Sequence, residues 1–307
     1  MKADLNENKV QGIIVCKKAE LKPTKRPNNY FCDFTLFTGE EEINGKTWDY
    51  NKNAPIPADN SLIYIQATKS TWNNAPQLTV ISWRYTTEEE QAKINTEDFL
   101  PSIENKEALY YEVFLKYVNS ISDSNLQDFV RTIVEAYKTK IINSPAAIMH
   151  HHNYIGGLLE HTCETAAYAI DIGSVSTKSI NFDLIKTGAL LHDIGKIKVY
   201  DYSSFVIDMT FEGKMLDHII LGLKLIEDFK ELINADTFML VSHIIAAHHL
   251  KLEYGSPVEP ILKEATIVAY ADNLSATYNR IDKSLDNDSQ WVPVFGFKHP
   301  FYNKNIL

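Results

Sequence analysis

Nine of the ten histidines in this 307-residue chain fall between positions 150 and 249. Histidine is the side chain best suited to hold transition metals or to move protons near neutral pH. The segments that carry them are GGLLEHT around His161, LLHDIGK with the adjacent His192 and Asp193, KMLDHI with His218, and SHIIAAHH with His243, His248 and His249; YADNLSA adds Asp272. Imidazole nitrogen together with carboxylate oxygen suits Mn²⁺, Fe²⁺, Co²⁺, Ni²⁺ or Zn²⁺. The three cysteines, Cys16, Cys32 and Cys163, have no ligand spacing, which argues against a thiolate zinc site and a disulfide framework, and they read as reduced structural residues. A His-Asp doublet at a helix end presents nitrogen and oxygen towards one point, and its carboxylate can bridge two ions. Any one of these histidines, taken singly, reads as a hydrogen-bonded core residue; their number and order point instead to a metal centre. His243, five residues before His248 and off its helical face, is expected to support a ligand from behind, and His150 and His151 to hydrogen-bond rather than ligate.

These residues need a scaffold, and the composition provides for one. Hydrophobic residues make up 45% and charged residues 23% of the chain, which is ordinary for globular protein, and the length allows two or three compact units. No apolar run is long enough to span a membrane and the first residues carry no apolar signal core, so a cytoplasmic location is expected. The net charge of −10 weighs against strong non-specific nucleic-acid binding. Residues 1–95, however, hold 12 basic and 12 acidic side chains, so the whole excess lies later, where two dications would need acidic neighbours. Segments 10–16, 30–37, 45–50, 62–68 and 77–83 are short and rich in β-branched and aromatic residues, which predicts five strands and a small closed barrel of OB type. Lys17, Lys18, Lys22, Lys25 and Arg26 are expected between strands as a basic cluster, and Tyr30, Phe31, Trp48, Trp72 and Trp83 are candidate base-stacking residues whose competing role is barrel core. From Leu126 the period changes: Leu126, Phe129, Val130, Ile133, Val134 and Tyr137 form a helical stripe read as core. Further helices are expected at about 104–119, 155–172, 183–192, 215–233, 237–249 and 260–282, with one hairpin over 198–213 turning at Ser203-Ser204. The acidic segment at 86–98 reads as a linker. The fold class is therefore α+β multidomain: an OB-fold over 1–95, a helical connector over 96–145, and an all-α domain with a β-hairpin insertion over 146–307.

At the His and Asp segments the sequence resembles the HD superfamily of metal-dependent phosphohydrolases, whose pattern is a His, a His-Asp doublet and a distant Asp. It is most similar to the YhaM-type bacterial 3′–5′ exoribonucleases, through HHNYIGGLLEHT, GALLHDIGKI, the hairpin followed by EGKMLDHI, and HIIAAHHLKLEYGSPVEPILKEATIVAYADNLSA. That family carries an OB-fold before its HD domain. The resemblance implies that His161, His192, Asp193 and Asp272 surround one metal, with Asp193 bridging to a second held by His218 and His248. His249 and His152 are additional candidates, Lys196 would face the substrate phosphate, His152 could also approach it, and the implied metal is manganese.

Two such ions, about 3.5–4 Å apart, activate a bridging water and clamp the attacking and leaving oxygens of an in-line displacement at phosphorus. The expected function is metal-dependent 3′–5′ exonuclease action on single-stranded RNA, with DNA left open as a substrate, Asp193 and Lys196 as catalytic residues and the barrel supplying the strand. Homo-oligomerisation is left open. No P-loop or GxGxxG competes, the only Gly pair being Gly156-Gly157. Two alternatives stand: an HD phosphohydrolase of nucleotides or cyclic dinucleotides, which needs no barrel, and a non-catalytic single-strand-binding protein, which needs no metals.

Overall fold

A computed structural model describes residues 2, 3, 5, 8–39, 41–72, 75–94, 98–149, 151–202, 205–286 and 289–304. The Trp72 side chain, His150 and the Ser203-Ser204 turn lie outside the described residues. The chain divides into two compact units, Met1–Pro101 with Tyr202–Ile207, and Ser102–Asp201 with Asp208–Leu307.

The first unit is built on five strands: β1 Lys9–Pro23, β2 Tyr30–Phe37, β3 Glu42–Thr47, β4 Ser61–Trp72 and β5 Ala75–Tyr85. They close in the order β1-β2-β3-β5-β4, with β4 pairing back to β1 and β3 running parallel to β5. This is the predicted OB-type barrel. Alternate residues of β2, namely Cys32, Phe34 and Leu36, point into its core with Ile14, Ile63, Ile65, Leu78 and Val80, as the two-residue period of a strand requires. β3 starts earlier than the sequence predicts and ends before Trp48, because Asp49 adopts a positive φ of 54° and turns the chain. The lysines are also placed differently: Lys17, Lys18 and Lys22 lie inside β1 rather than between strands, and they pair with Glu42, Glu20 and Asp33. Within the acidic segment, α1 (Glu88–Gln91) forms behind a Thr87–Glu90 capping box and belongs to this first unit.

The second unit is helical. Its elements are α2 Lys106–Leu109, a π-turn over Tyr110–Phe114, α3 Leu115–Asn119, α4 Ser124–Ala136, α5 Lys138–Asn143, α6 Gly157–Ser174, α7 Phe182–Leu191, α8 Lys196–Val199, α9 Phe211–Glu227, α10 Ala235–Ala247 and α11 Lys263–Leu285. The stripe on α4 is buried from Leu126 to Val134, and it shares one apolar core with α6, α7, α10 and α11. The hairpin is present as β6 Tyr200–Asp201 paired with β7 Asp208–Met209. A second two-stranded pair, β8 Trp291–Val292 with β9 Phe301–Tyr302, was not anticipated in a domain expected to be otherwise helical. No described helix is long and apolar enough to cross a membrane.

Candidate metal centre

Five elements of the helical unit bring the predicted side chains to one place. His161 lies within α6 and Asp272 within α11, whereas His192 and His248 occupy the C-terminal caps of α7 and α10. That cap position is chemically useful, because the last helical carbonyls lack intrahelical partners. His192 Nδ1 donates to Ala189 O at 2.9 Å and His248 Nδ1 donates to Ile245 O at 2.7 Å. Each bond fixes the tautomer and leaves an Nε2 lone pair pointing inwards, at a helix end that favours positive charge.

His218 reaches the same place from a break in α9. Asp217 has φ 54° and ψ 171°, and its carboxylate accepts from His218 Nδ1 at 2.7 Å. That hydrogen bond holds the Asp217 carboxyl down at about 2. His249 Nδ1 donates to Tyr254 O at 3.0 Å. His161 Nδ1 lies 2.8 Å from Ser275 Oγ, whose own proton goes to Glu164 Oε2 at 2.6 Å, so Ser275 accepts from the ring. All five rings therefore turn Nε2 towards the interior.

Two donor clusters result: His161, His192, Asp193 and Asp272 in one, and His218, His248 and His249 in the other, the ligand atoms of each within 4.8 Å of one another. Asp193 stands between them. Its Oδ2 lies 3.2 Å from His161 Nε2 and 3.4 Å from His192 Nε2, while its Oδ1 lies 3.6 Å from Nε2 of both His218 and His248. His192 and His161 face each other Nε2 to Nε2 at 3.2 Å, as do His218 and His249. Two imidazole lone pairs at that distance repel unless a proton or a cation lies between them. Buried Asp193 Oδ1 and His248 Nε2 also have no hydrogen-bond partner, a costly arrangement for a dry interior. The residues therefore fit metal ions. Burial alone would lower the His161 pKa, but the carboxylates of Asp193 and Asp272 outweigh it and raise it to about 9, a proton that metal binding would displace.

Lys196, at the start of α8, is buried with Nζ 2.6 Å from Asp193 Oδ2. Burial opposes its charge, yet the neighbouring Asp193 holds its pKa above the ordinary lysine value. The approach of the His-Asp segment to His218 depends on glycine: a Cβ at Gly195 would meet His218 O at 1.9 Å and Gly222 N at 2.5 Å. A pocket lined by His248, His249, Tyr254, Asp272 and Asn273 opens beside the clusters.

The other predicted residues divide. His243 is brought to neither cluster; its Nε2 accepts from the backbone N–H of Ile261 at 3.0 Å, so it braces the chain before α11 instead of a ligand. His151 has its ring centroid 6.3 Å from that of His161, and His152 is fully buried with its centroid 5.1 Å from the same ring. In the barrel, Trp48 is 47% exposed and packs on Phe31 at 5.2 Å, with Lys46 Nζ over both rings. Trp83 packs against the barrel core and donates to Tyr50 Oη, and Tyr30 is half-buried. Ser275, Glu164 and Asp217 were missed by sequence reasoning. The cysteines are free and buried, and burial pushes their thiols up to about 12 at Cys16, 11 at Cys32 and 12 at Cys163, which makes them unreactive.

Comparison with known proteins places these motifs. A profile described as HD domain matches residues 158–277, and one described as putative helicase matches residues 104–186. HD domains depend on divalent metal, and the two clusters supply donors suited to it. The protein named 3′-5′ exoribonuclease YhaM from Geobacillus sp. (strain WCH70) is 30% identical over 80% of this chain and 75% of its own length. Its namesake from Halalkalibacterium halodurans is 30% identical over 88% of this chain and 84% of its own. The one from Listeria monocytogenes is 25% identical over 95% and 98%. Since two of these relatives are 30% identical over 75% and 84% of their own length, the chain belongs to the YhaM 3′–5′ exoribonuclease family.

Proposed function

We propose that this protein is a metal-dependent 3′–5′ exonuclease that hydrolyses phosphodiester bonds of single-stranded RNA. The observation that carries the reading is Asp193, whose two carboxylate oxygens face two separate sets of histidines. In this reading His161, His192, Asp193 and Asp272 hold one ion, and Asp193, His218, His248 and His249 hold a second. Mn²⁺ suits this mixture of imidazole and carboxylate. Bound ions would polarise the phosphodiester and lower the pKa of the attacking water. The chain's own part is to fix the ligands through their Nδ1 bonds, to exclude bulk water by burial, and to hold the Lys196 ammonium beside Asp193, where it meets the negative charge that develops on phosphorus oxygens.

The barrel is assigned the single strand. The exposed Trp48, packed on half-buried Phe31 and joined by Lys46, combines a stacking surface with a cation, the pairing that sequence-tolerant single-strand binders use. The domain division 1–95, 96–145 and 146–307 is retained as a functional division into strand binding, connection and hydrolysis. DNA is the second candidate polymer. The deciding experiment is digestion of 3′- and 5′-end-labelled RNA by the full chain. Stepwise shortening from the 3′ end, dependent on Mn²⁺ and abolished by chelation and by Asp193→Asn, is expected. Hydrolysis of mononucleotides or cyclic dinucleotides with no action on RNA would transfer the assignment to the small-nucleotide phosphohydrolases.

A further inference from the structure

A third group of donors lies outside both clusters. His152, Glu160 and Glu164 each bring one ligand atom within 4.8 Å of the others. Acidic side chains gather at many protein surfaces without binding anything, so the decisive member is His152. Its side chain is fully buried and neither ring nitrogen has a hydrogen-bond partner. Nε2 lies 3.3 Å from Glu164 Oε2, out of hydrogen-bond alignment, and 3.9 Å from Glu160 Oε2. A buried imidazole left in this way is costly, and here it points at two carboxylates that are each about one-third exposed.

The backbone is built to hold the ring there. Gly156 adopts φ 84° before α6, and a Cβ at Gly157 would lie 2.1 Å from His152 O, so only glycine lets the His152 segment press onto the helix. His152 itself has φ 44°, and its N–H donates to Asn279 Oδ1 at 2.8 Å. Asn279 Nδ2 donates to Tyr154 Oη at 2.9 Å, and Tyr154 in turn donates to Glu160. These bonds orient the Glu160 carboxylate as outer partners orient metal ligands. Among the described residues no lysine or arginine pairs with Glu160 or Glu164; Lys283 Nζ sits over the Tyr154 ring at 4.3 Å. Two partly buried carboxylates thus face a buried imidazole whose ring nitrogens have no hydrogen-bond partner, with no lysine or arginine in ion-pair contact among the described residues.

We propose that His152, Glu160 and Glu164 form a third divalent-cation site, for Mn²⁺ or Mg²⁺, beside the two clusters and made of different residues. Its donor set of one nitrogen and two carboxylates selects hard to borderline cations. It communicates with the first cluster through Glu164, which holds Ser275 and thereby His161.

The test is Mn²⁺ binding to the full chain, by equilibrium dialysis with elemental analysis. The wild type should bind about three ions per chain, the weakest removed first by dilution. Glu160→Gln and Glu164→Gln, which keep shape and lose charge, should each weaken one ion by roughly tenfold or more, and the double variant should saturate at one ion fewer than wild type. His218→Ala should also bind fewer ions but should still lose a further one when Glu160→Gln and Glu164→Gln are both added. Saturation of the wild type at two, with both glutamine variants unchanged, overturns the third site and leaves the two-cluster reading intact. Absence of any Mn²⁺ binding by the wild type overturns both.

Discussion

The hydroxyl of Ser275 meets Nδ1 of His161 at 2.8 Å across 114 residues of sequence, and passes its own proton to Glu164. This is how a mid-helix histidine, with no free carbonyl of its own turn to bond, is given the same tautomer as the cap histidines. Ser275→Ala should leave the ring free to rotate or to change tautomer. A 10- to 100-fold loss of affinity for one metal ion is expected, with kcat restored at saturating Mn²⁺. Metal titration and kcat measured at two Mn²⁺ concentrations check it; an unchanged affinity would remove Ser275 from this role.

Lys196→Met keeps most of the buried side-chain volume and deletes the ammonium next to Asp193. The loss should fall on turnover, by about 10²- to 10³-fold, with single-strand affinity nearly intact, because the barrel is assigned that affinity. Steady-state kinetics and filter binding on the same preparation separate the two. Equal losses in both would show that Lys196 serves folding rather than chemistry.

In the barrel, Trp48→Ala and Phe31→Ala should each weaken single-strand binding by about 1–3 kcal/mol. Lys46→Met should flatten the log-log salt dependence by about 0.7. Trp83→Ala should instead lower stability, since that ring packs on the barrel core. Oligonucleotide titrations at several salt concentrations, beside thermal melts, distinguish these outcomes. Tight binding by the Phe31/Trp48 double variant would assign the strand to another surface.

Acid should destabilise the metal-free protein through buried His152. Burial drives His152 down to about 4, against about 6.5 in an unfolded chain. Below pH 6.5 the unfolded chain takes up a proton that the folded one refuses. Stability is thus complete above 6.5 and declines as the pH falls towards 4, by about 1.4 kcal/mol per pH unit for this ring. Denaturant unfolding with chelator at pH 7.5 and 5.0 should differ by about 2 kcal/mol from His152 alone. His152→Asn, whose side chain tolerates the positive φ, should reduce the difference. A pH dependence identical in wild type and His152→Asn would contradict the burial of a neutral ring at this position.

The candidate donors were legible because each must be a particular residue type, and because His192-Asp193 and His248-His249 announce themselves as doublets. The residues behind them were not. Ser275 and Glu164 are ordinary polar residues on helices, and their pairing across 111 residues is created only when α6 and α11 pack. His243 shows the converse: a histidine within a metal-like spacing was captured by a backbone N–H that sequence could not place beside it. Barrel strands were legible from their period and their punctuation. The pairing of Lys17 and Lys22 with carboxylates was not, because Glu42 and Asp33 come from other strands, β3 and β2, that only the folded barrel brings beside β1.

Gly195 and Gly222 meet where neither has a side chain, and there the segments bearing Asp193 and His218 touch. The distance between the two halves of the site is therefore held by missing atoms, and no rotamer change or neighbouring substitution can restore it once a methyl group intrudes. Most positions in a protein can be altered by small steps with partial function at each. This one offers no such intermediate: even alanine at 195 would force the halves apart. A lineage that loses this glycine would lose the close approach of the Asp193 and His218 segments by a single codon.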